Sequence, residues 1–407
     1  MGFSIIFPIF PETLKYFLSQ EKDISLELTL NFIRYLSPDS ENVPFPVLFG
    51  GVVGSIYSIL QFIFSPIWGK WSDKIGRKPI LLFTSLGNLL GYIVWFFSSS
   101  FTLFVLSRTI TGIMGGNISV ASASMADTTS AADRAKGMGI IGAAIGLGFV
   151  MGPPIGGILS ALDFGAYFSD LKLTIFPATA LVASLIAFVN LMLVLFYYKE
   201  TLENKNNTHQ KREIHPIIGI KNTRVKELPL LSFIFFIYIF SFSGFEFCIN
   251  FYLNDYLGFN PKQIGFTFLY IGVIIILIQG GVIRRISGKV SEFKISSVGS
   301  YFLVIGFIAI AIYPEQYYIF FALTFVSIGS AFINPGLSSL TSLCSPTEEQ
   351  GRNLGILRSF GSLARALSPI TFAFIYFTLE PITTFVVSTF LCVLVTLLLF
   401  RLKTLYS

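Results

Sequence analysis

"GKWSDKIGRKP", residues 69 to 79, is a short polar stretch between two apolar runs that are each long enough to cross a bilayer. So short a connection makes the two helices it joins antiparallel neighbours. It gathers Lys70, Lys74, Arg77 and Lys78 at one membrane surface and sets a single acid, Asp73, among them. A positive-inside bias accounts for the basic residues but not for the acid. Gly69 and Gly76 permit a tight turn. Asp73 is of the type that meets a helix N-terminus or a basic side chain, and Arg77 of the type that binds carboxylates or helix-end carbonyls.

The rest of the chain fits this reading. Its 407 residues are 53% hydrophobic and 12% charged, with a mean hydropathy of +0.74; a soluble protein carries about 25% charge. Apolar stretches of about 20 residues recur along the whole length, which is the signature of membrane-spanning helices and not of the ~10-residue alternation of a membrane barrel. Twelve spans are expected near 2–18, 45–68, 79–98, 101–126, 137–161, 173–197, 228–253, 264–283, 295–313, 317–340, 354–377 and 381–402. The first, "GFSIIFPIFPETLKYFL", resembles the back half of a span, so the expectation is that the recorded start falls inside it; no basic n-region or small-residue cleavage site marks a signal peptide.

Of the 28 lysines and arginines, 20 fall in the loops 69–79, 127–136, 198–227, 284–294 and 341–353 and in the C-terminal tail. These loops and both termini are therefore expected to be cytoplasmic. The net charge of +6 follows from that bias and gives no reason to invoke nucleic acid. Cys248, Cys344 and Cys392 are scattered over separate spans, which argues against a disulfide framework or a metal site. His209 and His215 read as solvated residues of the central loop, and Asn206 opens an N-x-T triplet whose cytoplasmic address makes glycosylation improbable.

The polar segment 199–227 reads as a linker between an N-terminal six-helix bundle, 1–198, and a C-terminal one, 228–407. Gly69, Gly76 and Arg77 are echoed by Gly281, Gly288 and Lys289 after the eighth span, and "DRAKGMG" (133–139) by "EQGRNLG" (349–355) before the eleventh. The offsets are similar, which points to an internal duplication of the kind many secondary transporters show, with the substrate site near the midplane between repeats.

Charges inside spans are few: Arg108 in the fourth, Glu246 in the seventh, Arg358 and Arg365 in the eleventh. Each costs about 2.5 to 3.5 kcal/mol at a helix centre and is a functional candidate by default. Snorkelling is open to Arg358, near its helix end. Glu246 is either a titrating carboxylate that loads and releases a proton, or half of a fixed ion pair with Arg365 as partner by depth. The four charges sum to plus two, which favours an anionic or zwitterionic substrate. In "GFVMGPPIGG" (148–157), Ala144, Gly148, Gly152, Gly156 and Ser160 share one helix face, a groove for close approach. Pro153 and Pro154 deprive the carbonyls of Phe149 and Val150 of helical partners, so a bend is expected.

On these residues the chain resembles the major facilitator superfamily. The signature G-x-x-x-D-[RK]-x-G-R-[RK] is matched by Gly69, Asp73, Lys74, Gly76, Arg77 and Lys78, and the resemblance implies a latch that holds the two halves in one state, with Asp127 and Arg134 contacting it. Arg108 and Gly112 are similar to an R-x-x-x-G element implicated in proton transfer, with Thr111 where a glutamine is usual. Gly148, Gly152, Pro153, Gly156 and Gly157 match G-x-x-x-G-P-x-x-G-G, the span-five motif of the drug–proton antiporter branch, where it packs span five on span eight. "FSFSGFEF" (240–247), "IQGGVIRRI" (278–286) and "GILRSFGSLARALSP" (355–369) resemble tetracycline-transporter-like (TETRAN-type) proteins, relatives of tetracycline efflux pumps, a group implicated in organic anion and drug transport.

The implied fold is all-α, with twelve transmembrane helices in two pseudo-symmetric six-helix bundles. The implied function is proton-coupled efflux of amphipathic drug-like or organic-anion compounds by alternating access, in a monomer of a bacterial cytoplasmic membrane, without cofactor or metal. A uniporter or importer of an organic anion or lipid is the alternative, followed by a channel, a non-transporting receptor or an intramembrane enzyme. No G-x-G-D pair, H-E-x-x-H or G-x-S-x-G supports the enzyme.

Overall fold

The computed structural model describes residues 2, 4–19, 23–36, 45–129, 134–162, 173–202, 220, 223, 225–286, 288–312, 315–346 and 349–406. His209, His215 and Asn206 lie outside the described residues, as does nearly all of the expected linker. Among the described residues the fold is helical, with no strand. Eleven helices are long and apolar enough to cross a membrane. The chain divides into two compact units: residues 1–214 with 260–265, and 215–259 with 266–407.

In the first unit a 3-10 segment, Ser4–Ile9, runs into α1, Phe10–Ser19, where the first span was expected. Then follows α2, Ile24–Leu36, a helix not foreseen: its 13 residues are too few for a span and lie where a loop was read. Its start is fixed by Asp23, whose carboxylate accepts from the Ser25 amide at 2.9 Å and ties across to the Thr102 amide at 2.9 Å. Burial opposes ionisation of Asp23, but these bonds outweigh it and hold the carboxyl below its ordinary value. The unit continues with α3 (Phe45–Ile75), α4 (Arg77–Phe96), α5 (Phe101–Gly115), α6 (Ile118–Thr128), α7 (Arg134–Leu159) and α8 (Pro177–Phe196).

The expected fourth span is thus two helices in line. The break falls at Gly116, where a Cβ would meet the Ser65 amide nitrogen at 2.8 Å, so α3 approaches to backbone contact. Side chains of α3 satisfy the carbonyls the break frees: the Trp68 indole donates to Ile113 at 2.7 Å and the Gln61 amide to Gly115 at 3.0 Å. One turn further, Ser119 donates back to the Ser65 carbonyl at 2.6 Å.

The second unit holds α9 (Leu228–Asp255), α10 (Pro261–Leu277, continued by a π segment Ile278–Ile283 and a last turn Arg284–Ile286), α11 (Glu292–Ile312), α12 (Gln316–Leu343), α13 (Gln350–Thr378) and α14 (Pro381–Tyr406). The first turn of α10 packs with the first unit. Each unit pairs its spans alike: first with fifth, third with fourth, and third with sixth. Gly76 and Gly288, paired in the internal echo, both have positive φ, 122° and 75°, and α7 and α13 start at echoing positions, Arg134 and Gln350.

The glycine-rich helix α7 runs through Pro153 and Pro154 without interruption. Its small-residue face meets two neighbours, the N-terminal 3-10 segment as well as span eight. Gly152 and Gly156 lie against Ser4 and Ile5, and the Ser4 hydroxyl donates to the Gly148 carbonyl at 2.9 Å. Span eight meets the adjacent edge: a Cβ on Gly157 would stand 2.6 Å from the Pro261 carbonyl oxygen and 2.8 Å from the Gly265 Cα. These contacts are backbone and cannot swing aside, so Gly157→Leu should destabilise the protein by about 1–3 kcal/mol and lower its melting temperature in detergent. Gly146→Leu, where a Cβ meets nothing within 4 Å, should leave it unchanged.

Candidate functional site

Three groups of charged residues have a definite geometry, one around Arg77, one around Arg108 and one in α9 and α13. Arg77 opens α4 directly after Gly76, whose φ of 122° suits glycine alone. Its guanidinium is 1% exposed and fully engaged. Nη1 donates to Asp73 and to the Ser72 hydroxyl at 2.7 Å, while Nε donates to Asp127 at 2.7 Å. A buried guanidinium needs this many acceptors to offset its desolvation. The acid that the positive-inside bias left unexplained is thus half of the counter-charge. Lys74 is exposed and Gly69 lies near Ser119. Arg134 opens α7, but its side chain lies outside the described residues. All partners named here belong to the first unit.

Sequence reasoning missed a further member of this cluster. Glu200, just past α8, accepts from the amides of Arg77 at 2.9 Å and Lys78 at 3.1 Å, the first two of α4. It also accepts from Thr201 and Leu202 at 3.0 and 3.1 Å. It caps α4 from a distance in sequence, and favourable interaction with the helix dipole follows. The available signal was an acid inside a basic stretch, the same anomaly that drew attention to Asp73. Burial alone would raise the Glu200 pKa, but the four amide bonds more than compensate and hold it below the usual carboxylate value.

Arg108, in α5, is 4% exposed. Its guanidinium carbon lies 4.7 Å from the Trp95 ring centre and 5.6 Å from that of Phe104, and Tyr57 and Tyr92 interact with its charge. Nη2 is buried without a hydrogen-bond partner. Aromatic faces thus take the place of an acid, an arrangement worth about 2 kcal/mol when desolvated. Gly112, one turn on, lets α5 abut α3: a Cβ there would stand 2.9 Å from the Tyr57 carbonyl oxygen. Trp95, Tyr57 and Tyr92 were not singled out in the sequence, because aromatic residues make up 16% of the chain and are too common in its spans to stand out.

In the second unit Glu246, Arg358 and Arg365 are each half-buried. Glu246 interacts electrostatically with Arg365, and Arg365 with Arg358. Yet none of the three side chains has a hydrogen-bond or ion-pair partner among the described residues. The alternative of a fixed Glu246–Arg365 pair is therefore not what the structure holds. Asn250, one turn beyond, bonds the Glu246 backbone carbonyl at 2.7 Å and not its carboxylate.

A helical chain with spans, a polar loop cluster and unpaired intramembrane charges has the makings of a transporter, and the Major Facilitator Superfamily model matches residues 1–369. The chain belongs to that superfamily, and is a transporter and not an enzyme. It is 31% identical to mouse (Mus musculus) major facilitator superfamily domain-containing protein 10, covering 88% of this chain and 79% of that protein. To the class B tetracycline resistance protein of Escherichia coli it is 28% identical, covering 92% and 85%. Among solved structures, the human organic anion transporter MFSD10 (TETRAN) matches with a TM-score of 0.78 at 28% identity, over 98% of this chain and 95% of that one. The xylose transporter XylE of E. coli, with a TM-score of 0.68 at 14% identity, shares the fold.

The cap predicts a pH dependence. A carboxyl depressed in the folded state stabilises the fold above its unfolded pKa, and the contribution is lost as pH falls through the folded value. Glu200→Gln should therefore lower the melting temperature at pH 7, by a few tenths to about 1 kcal/mol given the exposure of the side chain. The gap from wild type should close below pH 4, and differential scanning fluorimetry at both values checks it.

Proposed function

We propose that this chain is a proton-coupled exporter of amphipathic, drug-like or organic-anion compounds, working by alternating access, with Glu246 as the coupling group. The observation that carries the reading is a carboxylate inside a span, half-buried and without a partner among the described residues. Such a group is costly in place and persists where it titrates or binds. The tetracycline resistance relatives support efflux, and the Gly157–Gly265 crossing is the packing that the antiporter-type glycine motif implies. Arg108, held on aromatic faces, is assigned to the coupling apparatus, and the Arg77 cluster to gating.

An importer or uniporter of an organic anion is the second reading. Arg358 and Arg365 outnumber Glu246 in the second unit, and a structural relative is described as an organic anion transporter. By the lysine and arginine bias both termini are cytoplasmic, and the working unit is assigned as the monomer. The mammalian relatives draw the reading away from the bacterial inner membrane expected from sequence.

In proteoliposomes with an imposed pH gradient, Glu246→Gln should reduce gradient-driven transport to the leak rate while sparing counterflow exchange. Unchanged gradient-driven transport would remove Glu246 from the mechanism, and wild-type transport indifferent to the gradient would favour the uniporter. Asp73→Asn, which leaves Arg77 with Asp127, should slow transport several-fold at normal membrane insertion; a wild-type rate would sink the gating assignment.

A further inference from the structure

In the second unit the spans α9 and α13 run in the same direction and mesh at three levels. Gly361 lies against Phe235, the Ser368 hydroxyl donates to the Phe240 carbonyl at 2.6 Å, and Phe372 lies against Gly244. Arg365 is therefore level with the stretch of α9 just before Phe240. Glu246 stands about eight residues further along, roughly 12 Å of helix rise, and Arg358 is two turns back on the same face of α13 as Arg365. The three charges form a ladder, Arg358, Arg365 and Glu246. They sense one another without contact, since no ion pair or side-chain hydrogen bond closes any rung among the described residues. Two guanidinium groups two turns apart, neither engaged by an acid, suit a carboxylate, sulfonate or phosphate.

We infer that Arg358 and Arg365 hold the acid group of an anionic cargo, and that charged Glu246 opposes this anion and competes for Arg365, so that proton and anion bind together. The inference rests on the proton coupling proposed above and departs from its export direction for one class of cargo: an anion is carried with the proton, whereas exchange against protons is left to cargo without negative charge. Ionised Glu246 repels the anion directly and draws on the positive field of Arg365. Neutral Glu246 does neither, and leaves two full positive charges to the anion. For unit charges about 12 Å apart in a partly hydrated interior, the difference is on the order of tenfold in affinity. Linkage makes it reciprocal: the anion favours the proton by the factor that the proton favours the anion.

Other groups near the ladder do not replace it. On α9 itself Tyr238 senses both Glu246 and Arg365, and its hydroxyl is shared with Ser330 of α12 at 3.0 Å. From α14, Cys392 lies near Tyr238 and within 3.6 Å of the Ser241 hydroxyl. From α13, Tyr376 faces Cys248 and Tyr252, on the side of α9 away from Glu246. Of these groups, Glu246 is the one carboxylic acid, and the coupled proton is assigned to it.

The test is equilibrium binding of radiolabelled naphthalene-1-sulfonate, which stays ionised at every working pH, to the full chain in nanodiscs at pH 5.5 and pH 8. Neutral naphthalene-1-sulfonamide is the control. The wild type should bind the sulfonate on the order of tenfold tighter at pH 5.5. Glu246→Gln should bind tightly at both values, and Arg358→Gln should weaken the sulfonate at both, with Arg358→Lys restoring part of the loss. The sulfonamide should follow neither pH nor these changes. Tighter binding at pH 8, binding indifferent to pH, or no sulfonate binding would each overturn the inference. Failure of the parent reading is separable: sulfonate binding that follows pH without any gradient-driven transport leaves the site and removes the coupling, and the opposite pair of results does the reverse.

Discussion

A charge withdrawn from bulk water must be answered where it sits, because no solvent is there to answer it. Around Arg77 the answer is saturation: two carboxylates and a hydroxyl occupy the guanidinium, and Glu200 occupies the amides beside it. Around Arg108 it is aromatic, with Trp95 and Phe104 against the cation. For Glu246, Arg365 and Arg358 the answer is incomplete, since fields reach across gaps that no described side chain closes. The first arrangement is rigid, and removing one partner strands the rest. The last leaves free energy for a proton or a ligand to recover, which is the reason we propose Glu246 as the coupling carboxylate and give gating to the saturated Arg77 cluster.

The same constraint applies to the backbone. Every carbonyl in a span needs a donor, and where a helix breaks or two helices touch, the donor comes from a neighbour. The α5–α6 break persists because Trp68 and Gln61 reach across from α3. The α7–α10 crossing exists because Gly157 and Gly265 present no Cβ to each other.

Much of this was legible in the chain. Span positions follow from hydropathy, and Asp73 stood out as an acid that charge bias could not explain; Arg77 turned out to be its partner. The readings that failed concern what lies opposite in space. Glu200 is far from Arg77 in sequence, so no spacing reveals that it caps α4. The face of Gly148, Gly152 and Gly156 reads from periodicity as a groove, but periodicity does not say which helix fills it, and Ser4 and Ile5 of the 3-10 segment lie against it. Helix α2 escaped notice because a span-length hydropathy window averages a 13-residue helix with the polar residues around it, and its start depends on Asp23 meeting Thr102, another contact distant in sequence.

The duplication shows which features the fold requires and which are specific to one half. The echo of Gly69, Asp73, Gly76 and Arg77 runs through Gly281, Arg285, Gly288 and Lys289. The turn glycine is present in both copies and adopts positive φ in both, because the chain must reverse there whatever its charge. The acid is not: Arg285 stands where Asp73 would be, with Arg284 and Lys289 around it. Within the spans the asymmetry is reversed. In the first unit Arg108 is buried among aromatic rings, whereas the second unit keeps an acid and two arginines apart. One backbone plan thus carries two electrostatic arrangements, one whose charges are met by acids and aromatic rings and one whose charges have no partner among the described residues.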